Sequence, residues 1–289
     1  MEKMIFALGF FDGVHLGHQA LLKACVATAR RFGYETAAIT FDRHPQSLFT
    51  PEPPPLINSA ADRERLLRRF GITHIHTITV NEASMGVDRW DFLESLLADG
   101  AHGFVCGYDF RFGHQGKGNA ESVMRFCTNR RMLGEVIPEQ TLDGVRISST
   151  HIRSLIEQGD VDAAAKFLGH PHILSGRVVA GRQVGRTIGI PTANLLIPEG
   201  IVVPKLGVYA CRCRIGEQVY SAVTNIGFRP TVGGHQVRAE SWILNFEGDL
   251  YGKTITLEFV KYLRPEQKFD SLEALKEQIH RDAEQVKSL

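Results

Sequence analysis

Residues 9–18 read Gly9-Phe10-Phe11-Asp12-Gly13-Val14-His15-Leu16-Gly17-His18. Before them, Met4 to Leu8 is an unbroken apolar run, the pattern of a strand covered on both faces. After them, Leu21, Leu22, Cys25, Val26 and Ala29 recur at helical spacing, and Gly33 suits the end of a helix begun near Val14. The segment is therefore a turn from strand to helix. Gly9, Gly13 and Gly17 let main chain approach a ligand closely. A helix start offers free N–H groups and a positive dipole end, which together favour phosphate. His15 and His18 are three apart, share a face of the first turn, and can both donate to phosphate oxygens. The alternative is a plain glycine-rich turn with two surface histidines. The placement of H-x-G-H directly after a strand disfavours it.

Working outward, strands are predicted at 36–41, 72–80, 103–106 and 135–137. Helices are predicted from Ser59 to Phe70, Arg89 to Ala98 and Ser122 to Arg131. This alternation predicts a doubly wound, Rossmann-like α/β domain. Ligands of such sheets sit beyond the carboxyl ends of the strands, at the switch in strand order. Two further clusters follow strands in this reading. One is residues 107–113, with Asp109 and Arg111. The other is Ser148-Ser149-Thr150-His151-Ile152-Arg153, which opens a helix. Ser148, Ser149 and Thr150 suit a helix cap that also meets phosphate, and Arg153 suits a triphosphate. All three clusters are expected in one crevice.

Helical periodicity stops after Val161 to Leu168. Strand-like runs follow at 173–179, 208–215, 219–224, 240–246 and 254–262, separated by glycine-containing turns. They predict a compact β-barrel. An amphipathic helix from Ser271 to Lys287 closes the chain, with Asp270 and Glu273 as its expected capping box. The domains are expected to be 1–169 and 170–289. Pro51 to Pro55 reads as an extended loop.

The second half carries a basic, glycine-rich run from Gly181 to Asn194, including Gly185, Arg186, Thr187, Gly189 and Pro191. Its glycines suit a loop folded over phosphates. Thr192 and Asn194 are two apart, so extended backbone points both side chains the same way. Their oxygens suit one Mg²⁺. Glu240 alternates with Trp242, Leu244 and Phe246. A carboxylate on an apolar strand face is costly unless it is partnered or used, which makes Glu240 the candidate general base.

Composition narrows the field. The chain has 289 residues, 43% of them hydrophobic, and a formal net charge of +1. That balance argues against a bulk nucleic-acid binder. The five cysteines include no C-x-x-C pair, so buried, reduced thiols are expected. No apolar run approaches the roughly 20 residues of a membrane helix. The expected compartment is the cytosol, with small-molecule partners, no nucleic acid and no membrane. Oligomeric state is not legible.

The H-x-G-H turn resembles the nucleotidyltransferase superfamily signature. With residues 107–113 and 148–153 it is similar to the N-terminal half of bacterial bifunctional riboflavin kinase/FMN adenylyltransferases. Pro191-Thr192-Ala193-Asn194 resembles the riboflavin kinase motif that binds Mg-ATP, and residues 225–231, 249–252 and 263–266 also match. Phe10 stands where that family usually has Asn, His151 where it usually has Arg, and Trp242 where it usually has His. The resemblance implies phosphorylation of riboflavin to FMN and adenylation of FMN to FAD, with ATP and Mg²⁺ and the flavins as substrates or products. It implies His15, His18 and Arg153 in adenylyl transfer, Gly9, Asp12, Gly17, Asp109 and Arg111 around that nucleotide, Asn225 and Arg264 in the kinase half, and Glu240 as base. Two other readings are a kinase-only enzyme, suggested by Phe10 and His151, and a non-catalytic flavin-binding regulator. Retention of His15, His18, Thr192, Asn194 and Glu240 opposes the regulator.

Overall fold

A computed structural model describes residues 2–181, 189–231 and 234–289, with backbone alone at 229–231, 234 and 235. The chain divides into two compact units, Met1–Leu56 with Ala60–Ser149, and Ile57–Ser59 with Thr150–Leu289.

The first unit is built on five strands: β1 (Met4–Leu8), β2 (Glu35–Phe41), β3 (His74–Ile78), β4 (Ala101–Gly107) and β7 (Leu133–Ile137). They pair in parallel in the order β3-β2-β1-β4-β7. The order reverses at β1/β4, which is the switch point of a doubly wound sheet. Every β1 residue is buried. Phe6, Leu8, Ile39, Phe104 and Cys106 pack there with Leu93, Leu96 and Val123, and full burial of each large apolar side chain contributes about 1.5–3 kcal/mol. Helix α1 (Leu16–Phe32) follows β1, capped by His15 and ended by Gly33 in the left-handed region. The crossovers also contain α2 (Ala60–Arg69), α3 (Glu82–Met85), α4 (Arg89–Ala98) and α5 (Ala120–Arg130). Two small hairpins, β5–β6 (Arg111–Phe112, Gly118–Asn119) and β8–β9 (Thr141–Leu142, Val145–Arg146), add to the loops after β4 and β7.

The second unit is a six-stranded antiparallel sheet in the order β10-β15-β12-β13-β14-β11. The strands are β10 (His172–Arg177), β11 (Thr192–Leu196), β12 (Gly207–Ile215), β13 (Gln218–Thr231), β14 (Gly234–Ile243) and β15 (Thr254–Arg264). The sheet curls until its two edges meet. Val179, just past β10, bridges to Asn194 of β11. Helix α8 (Leu272–Lys287) covers one face through Ala283 and Val286, against Val208, Ala210, Val223 and Leu244.

Helices α6 (Ser149–Gln158) and α7 (Val161–Leu168) lie before residue 170, yet most of their length groups with the second unit. Ile152, Ile156, Ala164 and Leu168 form one cluster with Ile57 and Val202. The packing boundary thus falls at Ser149/Thr150, two helices before the expected boundary at 169/170.

Two local expectations are corrected. The α8 cap is Ser271, whose hydroxyl accepts from the Ala274 N–H at 3.1 Å, rather than Asp270. Strand β14 ends at Ile243 instead of reaching Phe246, because Asn245 turns the chain with φ 57°. All five cysteines are free and buried. Burial pushes the thiols of Cys25, Cys106, Cys211 and Cys213 up to about 12, so they stay protonated and inert.

Candidate active sites

In the first unit the turn after β1 leaves ordinary backbone space. Phe11 has φ 60°, Gly13 81° and Val14 41°. A β-branched residue at positive φ is a genuine outlier, and such conformations persist only where the surroundings over-determine them. Here Thr40 Oγ1 donates to the Phe10 carbonyl at 2.8 Å, Ser149 Oγ to that of Asp12 at 3.0 Å, and Gln19 Nε2 to that of Val14 at 2.9 Å. His15 caps α1, its Nδ1 accepting from the His18 N–H at 3.2 Å. The two imidazoles stack, and Phe11 meets His18 edge-on. A Cβ on Gly17 would lie 3.2 Å from the His15 ring, so a side chain there would push that ring by a few tenths of an ångström. Burial first, then His15 and Arg63, hold His18 well below the usual histidine range. His18 is therefore a neutral imidazole near pH 7.

This turn borders a cavity of about 510 Å³. Gly9, Phe10, His15, Gly17 and His18 line it from the β1 end, Tyr108 to Gly113 from the β4 end, and Ile147, Ser148 and Ser149 beyond the β8–β9 hairpin. The expected convergence of three clusters is present for these residues. Thr150 and Arg153 follow on α6 and belong to the second unit. The lining also includes the apolar side chains of Phe41, Phe49, Ile78, Met85, Phe92 and Phe112. A lining that combines imidazole and hydroxyl side chains with aromatic and aliphatic ones suits an amphipathic phosphorylated ligand.

Asp109 and Arg111 line this cavity near its exposed rim. Asp109 is held by Arg146 at 2.6 Å. Arg146 also reaches Glu139 at 3.3 Å and lies over the Tyr108 ring, while the Tyr108 hydroxyl donates to Glu139 at 2.5 Å. Sequence reasoning missed Glu139 and Arg146. Only folding of the hairpin brings them to the loop after β4. It also missed Arg63, which lies over the Phe10 ring with its guanidinium carbon 5.0 Å from the ring centre. Phe10 packs edge-on to Phe41 and His44 as well, so the side chain standing in place of the family's usual Asn is part of an aromatic cluster. His151 packs edge-on to Phe167.

In the second unit Glu240 stands between Asn194 and Asn225 in register, one on each neighbouring strand. Directly opposed residues share a sheet face, so the three side chains form a row. The adjacent row on that face is Thr192, Trp242 and Val223. A cavity of about 250 Å³ contains Thr192, Asn225, Glu240, Trp242, Arg264 and Glu266 among its lining. A second, of about 300 Å³, is lined by Pro191, Thr192, Asp249 and Tyr251 among others. Thr192 lines both. Asn194 is buried below, and a Cβ on Gly181 would lie 2.6 Å from its Nδ2, so Gly181 lets the chain cross over that amide. Gly189 is exposed with φ 77°. Gly185, Arg186 and Thr187 lie outside the described residues.

Asn225 Nδ2 donates to Glu266 at 2.9 Å. Arg264 is committed elsewhere than a ligand alone. It forks onto Asp282 of α8 through Nε at 3.0 Å and Nη2 at 2.7 Å, and Gln278 donates to the same carboxylate at 2.9 Å. Asp282, buried, was not singled out from the sequence. The Trp242 ring meets His280 of α8 edge-on.

Comparison with known proteins matches a separate family model to each half of the chain. An FAD synthetase family model matches residues 1–151 and a riboflavin kinase model matches residues 168–289. The bifunctional riboflavin kinase/FMN adenylyltransferase of Listeria monocytogenes is 31% identical, over 98% of this chain and 91% of its own length. That of Escherichia coli K12 is 34% identical, over 97% and 91%. A solved Streptococcus pneumoniae structure, described as a macrolide-efflux protein, superposes with a TM-score of 0.89 at 32% identity, covering 100% of this chain and 95% of that one. Among the described residues here, no helix is long and apolar enough to cross a membrane. The chain belongs to the bifunctional riboflavin kinase/FMN adenylyltransferase family, with its adenylylating module first and its kinase module second.

Proposed function

We propose that the 510 Å³ cavity of the first unit is where FMN is adenylated to FAD, and that the face bearing Glu240 in the second unit is where riboflavin is phosphorylated to FMN. The observation that carries this reading is the presence of two phosphate-suited constellations, one in each unit, each beside an apolar-walled cavity.

In adenylation an FMN phosphate oxygen attacks the α-phosphorus of ATP, and pyrophosphate leaves. The nucleophile is already an anion, so the protein's part is alignment and charge stabilisation. His15 and His18, held face to face at the helix start, are assigned to the phosphate oxygens. Gly9, Asp12, Gly17, Ser148 and Ser149 are assigned to that cradle, whereas Thr150 and Arg153, expected there from the sequence, fall in the second unit and do not line the cavity. Asp109 and Arg111 belong to the rim that receives the substrates.

In phosphorylation the riboflavin 5′-hydroxyl attacks the γ-phosphorus of ATP and ADP leaves. Glu240 is assigned to take the hydroxyl proton. Thr192 lines both cavities of this unit, which suits a residue between acceptor and donor. Asn225 and the Arg264–Asp282 pair support the acceptor side, and Gly181, Gly185, Arg186, Thr187, Gly189 and Pro191 are assigned to the nucleotide. Thr192 and Asn194 offer hydroxyl and amide oxygens from one strand face, a donor set suited to a hard cation. They would hold Mg²⁺, which supplies charge neutralisation on the phosphates when bound.

Incubating the protein with riboflavin, ATP and Mg²⁺, then resolving the flavins by chromatography, tests the whole reading. FMN and FAD should both form. A chain that makes FMN alone is a kinase only, and one that makes neither refutes the assignment.

A further inference from the structure

Arg63, on α2, is the largest fully buried side chain among the described residues, only 1% exposed. It donates to the Phe41 carbonyl at the end of β2. Its guanidinium lies over the Phe10 ring, and Nη1 is enclosed without a hydrogen-bond partner. Burial lowers the proton affinity of the guanidinium, and Asp12 and Asp42 oppose that effect as neighbouring negative charges. Taking a guanidinium out of water is expensive, and apolar replacement of a buried charge network is often neutral or stabilising. Stability alone is therefore a poor reason for an arginine here.

Its neighbours give a better one. Phe10 and Asp12 flank Phe11 in the turn that bends through three positive φ angles before His15. Thr40, Ser149 and Gln19 hold carbonyl oxygens of that turn. Arg63 bears on its side chains: its guanidinium lies over the ring of Phe10, and the negative charge of Asp12 is an electrostatic neighbour. We propose that Arg63 is a positioning residue for adenylyl transfer, its buried guanidinium setting Phe10 and Asp12 so that the turn presents His15 and His18 to the nucleotide phosphates. This inference rests on the adenylation reading of the first cavity.

The test measures FMN adenylation, substrate dependence and thermal unfolding in Arg63→Met, Arg63→Lys, Asp12→Asn and the Asp12→Asn/Arg63→Met double variant. Arg63→Met should lower kcat about tenfold or more, while KM for FMN and ATP moves by less than about threefold. Arg63→Lys keeps the charge but not the planar guanidinium, so it should recover only part of that loss and leave kcat clearly below the unmodified value. It also decides the matter if the methionine variant does not fold: a lysine variant with wild-type kcat, or with its defect confined to KM, overturns the proposal. In the Asp12→Asn background Arg63→Met should cost less than about threefold, because groups acting through one another are not additive. Equal losses in both backgrounds also overturn it. If the unmodified chain converts no FMN to FAD, the adenylation reading itself fails, which is a different result.

Discussion

The imidazoles of His15 and His18 lie face to face, with 3.7 Å between ring centres and 11° between planes. Stacked this closely, they resist carrying two charges, and burial, His15 and Arg63 together keep His18 neutral. The pair is thus stacked in place at the positive end of α1.

Removing one member should be costly in one reaction only. His18→Ala should slow conversion of FMN to FAD by about 10²–10³-fold, the scale of one lost preorganised donor. Riboflavin phosphorylation by the same preparation should stay near the unmodified rate. Equal falls in both rates, measured side by side, would show that the two chemistries share this turn.

His172 predicts a pH effect on stability. It is 1% exposed, its Nδ1 has no hydrogen-bond partner, and its ring packs against Phe259. Burial, then His170, pushes it down to about 3. The unfolded chain takes up this proton near 6.5, whereas the folded chain does not until far lower. Stability is therefore fully present above the unfolded value and is lost as pH falls from it toward about 3, by up to about 1.4 kcal/mol per pH unit. His172→Phe keeps a ring against Phe259 and removes the proton. Urea unfolding between about pH 7 and pH 5 should show the unmodified protein losing stability faster than the variant. Parallel curves would remove His172 from the account.

What the sequence disclosed and what it hid follow from how local each signal is. The β1 run and the H-x-G-H turn are legible because a strand, a turn and a helix start are each encoded within a few residues. Arg63 is hidden because Asp62-Arg63-Glu64-Arg65 looks like the solvated face of an amphipathic helix, and only docking of α2 sends two of those charges, Asp62 and Arg63, inward. Arg146 and Glu139 are hidden because two-residue strands leave no periodicity. Asp282 sits among exposed charges on α8 and differs from them only in facing Arg264. The alternation from Glu240 to Phe246 led past the true strand end because nothing in periodicity marks the left-handed turn at Asn245.

The Arg264–Asp282 pair supplies a stability prediction. Arg264 is 15% and Asp282 1% exposed, so removing one partner leaves the other's charge poorly compensated. Asp282→Ala should destabilise the second unit by about 3–5 kcal/mol. Thermal inactivation of riboflavin phosphorylation should move to lower temperature, because α8 loses its polar anchor to β15. A variant that inactivates with the unmodified profile would show that the apolar contacts of Ala283 and Val286 suffice to hold the helix.

Glu240 carries the last prediction. It lines the smaller cavity of the second unit with Thr192 and Asn225, and its register neighbours are both amides. A hydroxyl attacks phosphorus poorly until its proton has somewhere to go, and Glu240 is the carboxylate in that side-chain row. The phosphate nucleophile of the second reaction needs no base. Glu240→Gln preserves size and hydrogen bonding but removes basicity. It should lower riboflavin phosphorylation about 10²-fold or more, within the usual range for a lost general base. The loss should fall on kcat, because glutamine can still hold the hydroxyl in place. Conversion of supplied FMN to FAD should continue at the unmodified rate. If the variant phosphorylates riboflavin at near the original turnover, Glu240 supports the sheet and the base is another group. If FAD formation falls in step, Glu240 acts on something common to both halves, and the separation of the two chemistries between the two units has to be abandoned.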